Sequence, residues 1–300
     1  MLSTGSPTFK HVHVNSRDLP LLGDIAILRV LGPDAEAFAQ SLLMNDVLAL
    51  DVGHWQWNGL LNAKGRVLAL FALARVAPGD LLILLLDPPA DSFSASLMRF
   101  VLRRKVTISE EAGLGAFAEW IASGNDGEGR DALLRQVDDP GAIGFDFTAD
   151  GGPRRCWIAP RGGSPIEREA TRRWRDDDLR HGLPRTAPER EHGWTPHMLS
   201  LERLKAFSVR KGCYPGQEIV ARTHFLGQSK RQTWWIEGHG LAAGQAVHAA
   251  DGRNVGEVID ATADGCGALA VAALPAPGPV RCGTAEAAAR EPLAGLARPR

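Results

Sequence analysis

The chain has 300 residues and carries 34 basic against 35 acidic side chains, which gives a formal net charge of −1. This balance provides no overall field that would attract nucleic acid, a membrane surface or a strongly acidic partner. The length predicts two or three domains, and 44% hydrophobic residues can form a large core without disulfide support. The four cysteines (Cys156, Cys213, Cys266 and Cys282) have no CxxC or zinc-like spacing, so we predict no metal site.

The N-terminal residues 1–17 contain no apolar signal-peptide core, and no apolar run in the chain reaches the ~18 residues of a membrane span. The segment is free of acidic residues and faintly resembles a mitochondrial transit peptide. It lacks the Arg-rich amphipathic pattern of such peptides, so a disordered tail is the favoured interpretation. We therefore expect a cytoplasmic protein without a membrane partner.

The first third of the chain predicts an α+β unit. Residues 21–31 are typical of a strand or hairpin, and Gly32-Pro33 then begins a helix that extends to about Met44. Residues 67–76 and 81–87 are apolar and strand-sized, and the Ala-Pro-Gly-Asp segment between them indicates a hairpin. A helix with apolar residues at helical spacing and a further strand follow. This order is half of a ferredoxin-like unit.

The rest of the chain changes from mixed to β-rich composition. The pattern predicts, in order, a helix within 113–126, a short helix and a strand within 130–146, a charged helix over 167–180 and a second helix over 196–207. After Arg231 the sequence contains short strands and glycine turns, which predict a small all-β barrel. The Ala-, Arg- and Pro-rich residues 283–300 are expected to fray.

The densest run of special residues is Lys211-Gly212-Cys213-Tyr214-Pro215-Gly216-Gln217-Glu218, followed by Ile219-Val220-Ala221-Arg222. Pro215-Gly216 predicts the centre of a type II turn, because proline sets φ at the first central position and glycine supplies the positive φ of the second. Gln217 and Glu218 place an amide and a carboxylate directly after this turn.

Cys213 allows two interpretations. Nearby cations favour a thiolate over a thiol, so Arg210 and Lys211 would make Cys213 more reactive. A lone cysteine beside a turn is more often a small buried hydrophobic residue. Residue types alone leave both alternatives open.

The order Lys-Gly-Cys-Tyr-x-Gly-Gln-Glu, with an aliphatic pair and Ala-Arg behind it, resembles the motif of the YgfZ family. These are folate-binding relatives of the glycine-cleavage T-protein, within the aminomethyltransferase superfamily, that support iron–sulfur enzymes. Residues 195–203 and 227–231 are also similar to the family pattern, and with the β-rich end the resemblance extends over nearly the whole chain.

The resemblance implies an α+β fold of three domains in a ring around a central hole that holds a reduced folate. The middle domain would be ferredoxin-like and the C-terminal one a β-barrel. The implied boundaries are 18–50 with 130–231 for a discontinuous first domain, 51–129 for the second and 232–290 for the third.

The resemblance also implies a site. Cys213 would be the reactive or metal-touching thiol and Lys211 its activating neighbour. The residues expected to contact tetrahydrofolate, or a derivative of it, are Tyr214, Gly216, Gln217, Glu218, Arg222, Trp57 and Asn62. Trp55 and Trp57 lie two apart in a predicted strand and face one side, either as a platform for a pterin or as a core or interdomain contact.

One departure from the family pattern bears on function. Residues 60–66 resemble the Leu-Asn-x-x-Gly turn of the superfamily, but aminomethyltransferases have aspartates just beyond that turn. Here Val67-Leu68-Ala69-Leu70 follows, so the obvious acid–base partner at the folate is missing.

We therefore expect an accessory factor that supports iron–sulfur cluster assembly or repair, with tRNA modification as an indirect output. Its partners would be a reduced folate and iron–sulfur client enzymes, with no direct contact to nucleic acid. The alternatives are a folate-dependent one-carbon transferase or demethylase, and a structural partner protein in which the motif is only a folded turn.

Overall fold

The computed structural model of the chain describes residues 9–86, 89–122, 130–137, 139, 141–185, 193–227 and 229–298. Residues 1–8 of the predicted tail lie outside these ranges, and so do residues 123–126 at the end of the helix predicted within 113–126. The helices are α1 (Ala35–Leu42), α2 (Ala90–Met98), α3 (Arg168–Arg180) and α4 (Gln217–Leu226), with short 3₁₀ helices at Ser16–Asp18 and Leu201–Leu204. Within the described ranges, no helix is both long enough and apolar enough to cross a membrane.

The strands form two open sheets and one closed barrel. In chain order they are β1 (Lys10–Val12), β2 (Leu21–Leu22), β3 (Ile25–Leu31), β4 (His54–Leu61), β5 (Val67–Ala77), β6 (Asp80–Leu86), β7 (Thr107–Glu110), β8 (Leu114–Trp120), β9 (Leu134–Gln136), β10 (Ile143–Asp146), β11 (Arg154–Pro160), β12 (Gln232–Gly238), β13 (Ala246–Ala249), β14 (Asn254–Ala261), β15 (Gly267–Ala272), β16 (Gly278–Cys282) and β17 (Ala285–Arg290). Together with the helices they confirm the predicted α+β class.

The first sheet has the order β4-β5-β6-β3-β7 and is antiparallel. The neighbouring strands β5 and β6 are largely buried on both sides, because both faces of the sheet are covered there. Phe71 and Leu73 of β5 pack under α1 and α2, whereas Leu70 and Ala72 face the main core. The predicted hairpin is therefore confirmed as β5–β6, and the predicted helices before and after it as α1 and α2.

The second sheet has the order β1-β9-β10-β11-β8-β2, and it corrects two predicted helices. Residues 114–120 form β8, paired with β11 and β2, and no helix occurs among the described residues of 113–126. Residues 134–136 form β9 instead of a short helix. Both segments pair with strands distant in sequence, β8 with β11 and β2 and β9 with β1, so local spacing pointed to the wrong element.

The predicted helix over 196–207 is also wrong. In this segment turns lead into the short 3₁₀ helix Leu201–Leu204. It is bounded by Ser200 at φ 50° and Lys205 at φ 54°. These left-handed residues cannot continue an α-helix. The apolar residues of the segment are still buried, including Leu199, Leu201 and Leu204.

The C-terminal barrel is confirmed as a closed six-stranded structure of order β12-β15-β14-β13-β16-β17. The expected fraying is wrong for residues 283–298, because β17 closes the barrel and the chain then returns to the main body. Leu296 is buried there, and its carbonyl accepts a hydrogen bond of 2.8 Å from the Trp57 indole. Burial of Leu296 and Arg298 fixes this end of the chain.

The division into three domains stays a prediction. Some sheet pairings cross the boundaries that the resemblance implies: β3 pairs with β6, and β8 pairs with β11.

Candidate functional site

The motif of residues 211–218 forms the type II turn that its sequence predicts. Gly216 has φ 79° and ψ −1°, and the Gln217 N–H donates to the Tyr214 carbonyl at 3.2 Å. Gly216 is also the N-cap of α4, a helix that sequence reasoning missed. Glu218 in its first turn complements the helix dipole and was the available signal for it.

The motif turn lies directly against the turn at residues 62–66. A Cβ added to Gly216 would stand 2.6 Å from the Asn62 carbonyl oxygen, and one added to Gly65 would stand 2.8 Å from Ile219 Cβ. Asn62 Oδ1 accepts hydrogen bonds from the backbone N–H groups of Lys64 and Arg66. The structure thus brings Asn62 and Gly216 together, and both shape the backbone here.

Lys211 is buried and links the motif to the segment after α1. Its ammonium donates to the carbonyls of Leu43 and Asn45, the latter at 3.0 Å, and lies 5.0 Å from the centre of the Tyr214 ring. Burial lowers the pKa of Lys211 to about 8. The expected activation of Cys213 by Lys211 has no contact to support it in the part of the chain that the structure describes.

The other motif side chains divide into two groups. The Tyr214 hydroxyl donates to the Ser208 carbonyl at 3.3 Å, and Gln217 Nε2 donates to the Lys211 carbonyl at 3.3 Å, so both hold the loop. Burial raises the pKa of Tyr214 to about 12. Cys213, Glu218 and Arg222 are exposed instead.

Cys213 is a free thiol at the surface. The interpretation of this residue as a small buried hydrophobic side chain is therefore wrong. The type II turn begins at Tyr214 and directs the Tyr214 ring into the core. The preceding residue, Cys213, is left at the surface.

Trp57 does not offer a platform to a flat ligand. It is fully buried, in edge-on contact with Trp55 at 5.4 Å and with Phe147 at 5.3 Å, and its indole N–H is bound by the Leu296 carbonyl. A ring without an exposed face cannot stack on a pterin. The packing alternative is the correct one for this pair.

A cavity of about 780 Å³ lies beside the motif. Its walls include Asn45, Gln56, Glu202, Phe207, Arg210 and Arg298. Of these, the sequence pointed only to Arg210, as a cation beside Cys213. Glu202 lies within residues 195–203, whose similarity to the family pattern was an available signal for this wall.

The cavity combines three cations with two carboxylates. Arg298 is 3% exposed and its guanidinium donates to backbone carbonyls, among them Asp146 and Ala297. Burial lowers the pKa of Arg298 to about 10, and burial raises the pKa of Glu202. The further charged groups on the walls are Asp46, Lys205 and Arg210.

No family model matches the chain. It is 26% identical over 257 residues to the tRNA-modifying protein YgfZ of Cronobacter sakazakii, with 75% of this chain and 74% of the relative covered. It is 25% identical over 271 residues to the tRNA-modifying protein YgfZ of Aliivibrio fischeri strain MJ11, with 85% and 83% covered.

Among solved structures, the chain is similar to the glycine cleavage system aminomethyltransferase T of Bartonella henselae. The TM-score is 0.66 at 18% identity, with 91% of this chain and 84% of that chain covered. The resemblance predicted from residues 211–222 is thus confirmed: the chain is similar to the YgfZ proteins over most of its length and has the fold of the glycine-cleavage aminomethyltransferase T.

Proposed function

We propose that the chain binds tetrahydrofolate or a derivative in the 780 Å³ cavity. We further propose that it is an accessory factor for the assembly or repair of iron–sulfur clusters in client enzymes, with tRNA modification as an indirect output. One observation carries the proposal, namely that the motif supports the cavity wall. Ser208 lines the cavity, its Oγ accepts from the Lys211 N–H, and its carbonyl accepts from the Tyr214 hydroxyl.

The composition of the walls suits a reduced folate. The volume is within the range of about 300–1,000 Å³ that is usual for small-molecule sites. Gln56 and Glu202 carry hydrogen-bonding groups of the kind that a pterin requires, and Phe207 offers an apolar surface. The exposed cations Lys205 and Arg210 suit the carboxylates of the folate tail.

The motif residues would act on this cavity in two ways. Tyr214, Gly216 and Gln217 shape the loop that carries its wall, together with Asn62 across the turn contact. Glu218 and Arg222 stay predicted folate contacts from the exposed side of α4. Cys213 is the exposed thiol that a client protein or its iron–sulfur cluster would contact.

The test combines ligand binding with rescue in cells. We expect the wild type to bind 5-formyltetrahydrofolate in isothermal titration, and to restore methylthio-modified tRNA and one cluster-dependent dehydratase in a bacterial strain lacking its own family member. Cys213→Ala should bind folate but fail to rescue, whereas the control Cys266→Ala, at the other exposed cysteine, should do both. Absence of binding at high micromolar ligand would overturn the folate assignment, and rescue by Cys213→Ala would overturn the role of the thiol.

A second candidate, a folate-dependent one-carbon transferase, is favoured by one specific observation. The acid–base partner that residues 67–70 lack is available from Asp46 and Glu202 on the cavity wall. Burial raises the pKa of Glu202, which is the direction that favours a general acid or base. Release of 5,10-methylenetetrahydrofolate from candidate methylamines, lost in Glu202→Gln, would support this function. Absence of turnover with any of them would count against it.

A further inference from the structure

His197 is a buried histidine without a hydrogen bond. Its side chain is 5% exposed, and neither Nδ1 nor Nε2 has a hydrogen-bond partner. Buried polar atoms nearly always have partners, so an orphaned imidazole calls for a specific explanation. His197 lies in the turns before the 3₁₀ helix Leu201–Leu204.

The surroundings of His197 supply one candidate partner. Its Nε2 is 3.5 Å from Oε1 of Glu202, which is too far for a well-formed hydrogen bond but within the range that a small side-chain movement closes. Phe207 packs on the imidazole at 5.0 Å and limits its rotation. The imidazole is therefore held in place while the Glu202 side chain, 43% exposed, keeps its freedom.

Glu202 occupies a junction between two cavities. Glu202 and His224 line the 780 Å³ cavity, and both also line a neighbouring cavity of about 380 Å³. His197 lines the smaller cavity, and its Nε2 lies 3.5 Å from the Glu202 carboxylate. A group at this position can determine which way the Glu202 oxygens point.

We propose that His197 is a positioning residue for Glu202: its neutral imidazole donates Nε2–H to the Glu202 carboxylate and directs that carboxylate toward a ligand in the larger cavity. The inference rests on the proposed function, because the ligand it assumes is a reduced folate. A small movement of the exposed Glu202 side chain closes this hydrogen bond in the ligand-free protein as well as with ligand bound.

The charge state of His197 agrees with this role. Burial and the neighbouring His224 lower the pKa of His197 to about 4, so near neutral pH the ring keeps one N–H donor. The charged or titratable groups that share its cavity are Glu202, Arg203, His224 and Arg231. A shared metal ion is a weaker explanation, since no group of three His, Cys, Asp or Glu residues in the described ranges is arranged to hold one.

The test compares His197→Gln, whose amide nitrogen can replace the Nε2 donor, with His197→Leu, which has no donor. The first readout is the pKa of Glu202 by NMR in the ligand-free protein, with Glu202→Gln to assign the signal. The second is the Kd for 5-formyltetrahydrofolate between about pH 5 and pH 8. The exposed His239→Leu on the barrel is the matched control, and thermal unfolding monitors folding of every variant.

We expect His197→Leu to raise the pKa of Glu202 further, because a hydrogen bond to the charged form is lost. It should weaken folate binding about tenfold and move the pH profile upward, whereas His197→Gln should stay within about threefold of the wild type. An unchanged Glu202 pKa in His197→Leu would overturn the inference, even if the variant is less stable. If the wild type binds no folate, the proposed function fails, while the NMR comparison still decides whether His197 acts on Glu202.

Discussion

The Lys211 ammonium donates a 3.0 Å hydrogen bond to the carbonyl of Asn45, 166 positions earlier in the chain. A second bond to the Leu43 carbonyl completes the contact. One buried lysine thus joins the motif loop to the segment that begins the cavity wall. Its first role is to hold these two parts together.

The first prediction concerns Lys211→Met. The substitution leaves two buried carbonyls without a donor, so we expect a loss of about 2 kcal/mol in the free energy of unfolding, measured in urea at neutral pH. Lys211→Arg, which keeps the charge but cannot fit both carbonyls in the same geometry, should be intermediate. Full stability of Lys211→Met would show that the contact is dispensable.

The same lysine predicts a pH dependence. Its pKa is about 8 in the folded chain, against 10.5 for an ordinary lysine, so above pH 8 the unfolded state binds more protons. Stability from this group therefore rises with pH between about 8 and 10.5. Urea unfolding of the wild type, relative to Lys211→Met, should show this rise. A flat difference between the two proteins would contradict it.

The contact between the two turns predicts unequal effects for two glycines of the motif. Gly216→Ala places a Cβ 2.6 Å from the Asn62 carbonyl at a φ of 79°, so we expect a loss of at least about 2 kcal/mol. Gly212→Ala is the matched control, because nothing lies within 4 Å of its added Cβ. Equal stability of the two variants in urea would rule out the tight contact.

Burial predicts which thiols react in the folded protein. Cys213 and Cys266 are exposed, whereas Cys156 and Cys282 are buried. Burial also raises the pKa of the Cys156 thiol and raises that of Cys282 to about 11, which favours the unreactive thiol form. A thiol reagent such as DTNB should therefore modify two cysteines quickly and all four only in denaturant.

Two variants assign the fast reactions. Cys213→Ser and Cys266→Ser should each remove one of the two fast equivalents. If Cys213→Ser left the fast phase intact, the motif thiol would not be accessible in solution.

A buried ion-pair network is centred on Asp178, in the last turn of α3. Substitution of Asp178 should therefore cause a large loss of stability. Asp178 is fully buried and accepts 2.7 Å hydrogen bonds from Arg154 and from Arg185. Asp178→Asn removes the charge that both guanidinium groups share, and we expect a loss of about 3–5 kcal/mol on urea unfolding. The control is Asp251→Asn, whose exposed pair with Arg253 should be worth little. Similar losses for both variants would contradict this account.

Arg298 predicts a link between the C-terminal segment and ligand binding. The Arg298 guanidinium donates to the carbonyls of Asp146, Thr148 and the C-terminal segment, so Arg298→Met should disturb the cavity wall that these contacts hold. We expect folate binding at least about tenfold weaker in isothermal titration. Arg281→Met, at an exposed arginine of the barrel, should leave the Kd unchanged. An unchanged Kd in Arg298→Met would remove Arg298 from the proposed site.

Local patterns in the sequence determined several features of this protein. Pro215-Gly216 required a type II turn, the Ala-Pro-Gly-Asp segment joined two strands into β5–β6, and the short glycine-bounded strands after Arg231 formed a barrel. These features depend on backbone conformations and spacings that a few neighbouring residues specify. The motif itself was sufficient to identify the similarity to the YgfZ proteins.

Only the tertiary structure decided where the cavity is and what its walls contain. Asn45, Glu202 and Arg298 come from distant parts of the chain, and the last of these lies in a segment whose composition indicated fraying. Long-range contacts also turned residues 114–120 into a strand, buried Trp57 and left Cys213 exposed. The physical reason is that packing and sheet pairing are set by partners far away in sequence, which no local pattern contains.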